Sequence, residues 1–64
     1  MDIESEVLRI NDFVVKGNYH AAINIAISAV NECRRTSDQA GVDKFLQVIK
    51  DIVNTMSNEF GSEK

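Results

Sequence analysis

The chain contains no proline, one cysteine (Cys33), one histidine (His20) and three glycines (Gly17, Gly41 and Gly61). A single cysteine forms no intrachain disulfide, which fits a reducing compartment. A single histidine, with no Cys/His spacing around it, supplies no zinc site. No apolar run approaches the ~20 residues that a membrane-spanning helix needs. The opening Met1–Asp2–Ile3–Glu4 is acidic where a signal peptide would be cationic. Basic residues are also outnumbered, seven against ten acidic, for a formal net charge of −3. That balance counts against nucleic acid, whose binding needs a basic face to displace counterions. A cytoplasmic protein is expected, with no membrane, cofactor, metal or small-molecule substrate implied.

At 64 residues the chain buries only about 60% of its unfolded surface, so its stability is marginal. With disulfide and metal both missing, oligomerisation or docking on a partner is the remaining source of extra stability.

What the chain does contain is helical periodicity, and no segment alternates as a half-buried strand would. Asp2 is a good N-cap, with Glu4 and Glu6 in the first turn. Ile3, Val7, Ile10 and Val14 then repeat at spacings of four, three and four, and Leu8, Phe13 and Val15 widen the stripe. Lys16–Gly17 closes this first helix, and Asn18 caps the next. The second stripe is Tyr19, Ala22, Ile23, Ala26, Ala29, Val30 and Cys33, with Ala21, Ile25 and Ile27 on other faces. A helix apolar on more than one side is sandwiched between neighbours, and alanines let their backbones come close. Thr36–Ser37–Asp38–Gln39 spells a capping box for a third helix. Its stripe runs through Val42, Phe45, Leu46, Ile49, Ile52, Val53 and Met56 to Phe60. A bend near Thr36 lets the second and third stripes share a core. The expected fold is all-α: a three-helix antiparallel bundle with a tight αα-hairpin, helices at about 3–16, 19–34 and 37–60 forming one domain over 1–60. Dimerisation is expected, and residues 61–64 should be a disordered tail.

Gly17–Asn18–Tyr19, Ala22–Ile23, Ala26 and Ala29–Val30 together resemble the second half of a tetratricopeptide repeat, and Phe13 falls where the first helix of that motif carries an aromatic. The resemblance covers about half the chain in one copy, and it departs from the pattern at Glu6, Arg9 and Ala26. A hairpin followed by a third helix is also similar to the microtubule-interacting-and-trafficking domain. Either resemblance implies a helical hairpin with a small-residue seam.

The polar residues offer little chemistry. His20 has no nucleophile or carboxylate at helical spacing and reads as solvated. Cys33 reads as a small buried apolar residue, with a redox or intermolecular disulfide role as the alternative. Asp2, Glu4 and Glu6 read as a helix start, and Asp12 with Lys16 as an i,i+4 pair. No enzyme activity is expected. The informative feature is surplus apolar surface: Leu8, Val15, Ile25, Ile27 and Phe60 lie off the main stripes and are the candidate partner-binding residues. The expected function is a small interaction module, a regulator, adaptor or inhibitor of a larger protein, of bacterial or phage origin and working as a homodimer. The alternative is a transcription co-regulator or nucleic-acid-binding protein using Arg34, Arg35 and Lys44.

Overall fold

The computed structural model describes residues 2–59. It contains three α-helices, α1 (Ile3–Val15), α2 (Tyr19–Arg35) and α3 (Gln39–Glu59), and the described residues include no strand. Phe60 and the tail residues 61–64 lie outside the described residues. The helices pack as an all-α three-helix bundle in which α2 is the middle member. Both α1 and α3 lie along α2, while α1 and α3 meet only sparsely.

Each helix begins where a short polar side chain accepts a backbone hydrogen bond. Glu4 N–H donates to Asp2 Oδ1 (3.2 Å) and Ala21 N–H to Asn18 Oδ1 (3.3 Å). The Asp2 carboxylate also accepts from the Ser5 hydroxyl, which holds its pKa below the ordinary 3.8. A lowered carboxylate pKa stabilises the fold above the unfolded value, and that contribution disappears as pH falls through the folded one.

The start of α3 corrects the capping expectation. The Thr36 hydroxyl donates backwards to the carbonyls of Glu32 and Cys33, and it is Asp38 Oδ1 that accepts from Gly41 N–H (3.0 Å). The reason is the turn itself. Ser37 adopts a left-handed conformation (φ 60°), which turns Thr36 toward the carbonyl end of α2 and leaves Asp38 at the opening of α3. Here Asp38 N–H bonds the Cys33 carbonyl (2.8 Å) and Ser37 N–H the Arg34 carbonyl (3.1 Å). The first connection repeats the same bonds: Asn18 N–H to the Phe13 carbonyl and Gly17 N–H to the Val14 carbonyl, with Gly17 at φ 80°. Both are Schellman turns followed at once by an N-cap. Each therefore reverses the chain in three residues.

The core holds Ile10 of α1; Tyr19, Ala22, Ala26, Ala29, Val30 and Cys33 of α2; and Val42, Phe45 and Ile52 of α3. No buried polar side chain interrupts it among the described residues. Gly41 sets how closely α3 approaches α2. A Cβ added there would stand 2.5 Å from Cys33 Sγ and 2.9 Å from Asp38 Oδ2.

Two unfolding experiments probe these points. Gly41→Ala should gain helix propensity yet lose more to the clash, for a net loss of about 1–2 kcal/mol in urea unfolding. The loss should shrink when the same change is made on a Cys33→Ala background. Ser37→Gly should raise stability by about 0.5–1 kcal/mol, because glycine relieves the left-handed strain that serine carries.

Candidate functional site

Helical rise and turn decide which apolar side chains the bundle leaves uncovered. Val7, Asn11 and Val14 of α1 line a groove with Lys44, Val48, Asp51 and Thr55 of α3. That groove marks the flank of α3 that turns toward α1. Leu46 and Val53 stand on the other flank, each 50% exposed. They are seven residues apart, or about two turns, so they form one row. On α2, Ile27 is 46% exposed and lies seven residues before Arg34. Arg34 in turn lines a second groove with Cys33, Val42 and Leu46. Rows from two antiparallel helices thus meet on one face: Ile27 with half-buried Ile23 from α2, and Leu46 and Val53 with half-buried Ile49 from α3.

The residues expected from the sequence to bind a partner do not gather at one place. Leu8 and Val15 are the most exposed, at 70% and 85%. They form a separate row on α1, and Leu8 lies beside Glu4 and Lys44. Ile25 sits about 200° round α2 from Ile27 and packs against the core. Of the described members of that set, Ile27 is the one on the α2/α3 face. Sequence reasoning missed Leu46 and Val53 because their spacing matches the core stripe of α3. The signal that separates them is angular: Phe45 and Ile52 mark the buried line, and Leu46 and Val53 each stand about 100° beyond it.

The basic residues also separate. Arg34 lines the α2/α3 groove, whereas Lys44 lines both grooves beside α1. Arg35 is paired with Glu32. Lys16 and Asp12 form the expected i,i+4 pair at 3.1 Å. Among the described residues no group of three or more His, Cys, Asp or Glu side chains is placed to hold a metal ion, and no helix is long and apolar enough to cross a membrane. No family model, curated protein or solved structure matches the chain.

Cys33 is buried under the turn that joins α2 to α3. Desolvation pushes its thiol pKa above the ordinary value, and the carboxylates of Asp38 and Glu32 push it further. The thiolate is the reactive form, so burial and charge suppress its chemistry together. Reaction of Cys33 with a disulfide reagent such as Ellman's at pH 8 should be slow in buffer and rapid in unfolding concentrations of urea. Equal rates in the two conditions would show that the thiol is accessible in the folded protein.

Proposed function

We propose that this protein is a small helical interaction module that docks through the apolar face formed by Ile27, Leu46 and Val53, acting as a regulator, adaptor or inhibitor of another protein and associating with itself. The observation that carries the reading is the concentration of half-exposed aliphatic side chains on one two-helix face of a very small bundle. Scattered apolar residues are ordinary on a protein surface, but a contiguous set drawn from two helices marks an interface. The likeness of the Gly17–Val30 segment to a tetratricopeptide hairpin belongs to the same proposal. The nucleic-acid alternative has no matching geometry, since Arg34 and Lys44 line different grooves, and it is carried no further.

Light scattering on a size-exclusion column, in reducing buffer from micromolar upward, tests the self-association. The expected mass is twice the 7.1 kDa of one chain, nearly independent of salt because the contact is apolar. Leu46→Asp and Ile27→Asp should each return it to one chain with helicity unchanged. A single-chain mass at every concentration would remove the homodimer and leave the face for a foreign protein.

A further inference from the structure

The contact between Gly41 and Cys33 fixes the level of α3 against α2. Both helices rise about 1.5 Å per residue in opposite directions. Six residues back from Cys33 is Ile27, and six forward from Gly41 is Gln47, so these two stand level. Along α3 the row Val42, Leu46, Ile49, Val53 has spacings of four, three and four, with Val42 nearly buried at its core end. Its order therefore reads the same in both directions about a midpoint between Gln47 and Val48. The apolar centres of the two helices lie side by side on a line across the face.

A two-fold axis presents the same patch from both sides, so a row with this spacing can lay its apolar members against apolar members of a second copy. An axis along that line lays α3 antiparallel on α3. It sets Leu46 against Ile49 of the second copy, Val53 over the groove that nearly buried Val42 lines, and Ile27 against its own equivalent. Charge follows the same arrangement. Asp43 and Lys50 each follow a row member, Val42 and Ile49, on the outer edge of the face. The axis sets Asp43 level with position 52 of the second copy, two residues or about 3 Å from Lys50, a gap that the long lysine side chain spans. Neither joins an ion pair among the described residues, and Asp43 accepts only from the Gln39 amide (3.0 Å). On α2, Arg34 and His20 both lie seven residues from Ile27, so the axis sets Arg34 opposite a histidine and clear of another arginine.

We propose that the occupant of this face is a second copy of the chain, related by a two-fold axis through Ile27 and the Gln47–Val48 midpoint, with Asp43 of each copy paired to Lys50 of the other. The proposal rests on the docking face described above and adds its register. Two Asp43–Lys50 contacts form per dimer, at the rim, where they select the register more than they strengthen it.

The test is a charge swap read by analytical ultracentrifugation at low salt, with circular dichroism confirming that each variant folds. Asp43→Lys and Lys50→Asp, each alone, turn two attractive contacts into two repulsive ones and should weaken self-association by about tenfold. An equimolar mixture of the two variants should regain wild-type affinity, because every contact across the mixed dimer is again Asp with Lys. The double variant Asp43→Lys/Lys50→Asp should do the same. A wild-type dimer that Leu46→Asp splits, but whose affinity the swaps and the mixture leave unchanged, would overturn the register and keep the docking face. A wild-type monomer would overturn the register together with the self-association.

Discussion

The closeness with which α2 is flanked on two sides governs the rest of this structure. A helix in the middle of a three-helix bundle presents more than one face to its neighbours, and large side chains on all of them would hold those neighbours apart. Ala22, Ala26 and Ala29 are small where the neighbours approach, and Gly41 returns the favour from α3, where Cys33 lies over its bare backbone. The close approach has its cost in volume. Alanines bury little apolar area each, so the large buried residues Ile10 and Phe45 carry a disproportionate share of the core. A bundle of this kind is thin, with Cα extents of 40 × 21 × 14 Å, and a thin bundle covers its apolar rows incompletely.

Much of this is legible in the sequence, and the reasons are local. Gly17–Asn18 announces its turn because glycine is the usual residue for a left-handed helix end and asparagine a common cap. The second turn uses identical hydrogen bonds but hides them, since Ser37 is not a residue that advertises positive φ. Thr36, Ser37 and Asp38 are all plausible caps, and only the backbone path singles out Asp38. The helix limits that fall on described residues consequently come out within one or two residues, while the capping assignment at α3 does not.

The apolar face was harder to read for a different reason. Periodicity shows which residues of a helix are apolar together, but not how wide an arc the neighbours cover. Val42, Phe45, Leu46, Ile49, Ile52 and Val53 form a broad band on α3. With α1 on one flank and α2 ahead, the other edge of that band has no helix to meet it. Leu8 and Val15 were legible as outliers because they sit well off the α1 stripe, whereas Leu46 and Val53 lie at the margin of a real core line. Position relative to the other helices, which a single sequence does not state, separates margin from core.

The two Schellman connections also bear on time. Helices joined by three residues pack against sequence neighbours, and here the first and last helices scarcely meet, so the contacts are short-range along the chain. Low contact order of this kind accompanies folding in microseconds to milliseconds, and with no proline in the chain there is no slow isomerisation to wait for. Encounters between proteins at micromolar concentration, at typical rate constants of about 10⁵–10⁷ M⁻¹s⁻¹, take roughly a tenth of a second or longer. The chain thus completes its bundle well before it meets anything, and whatever settles on the α2/α3 face finds it already built.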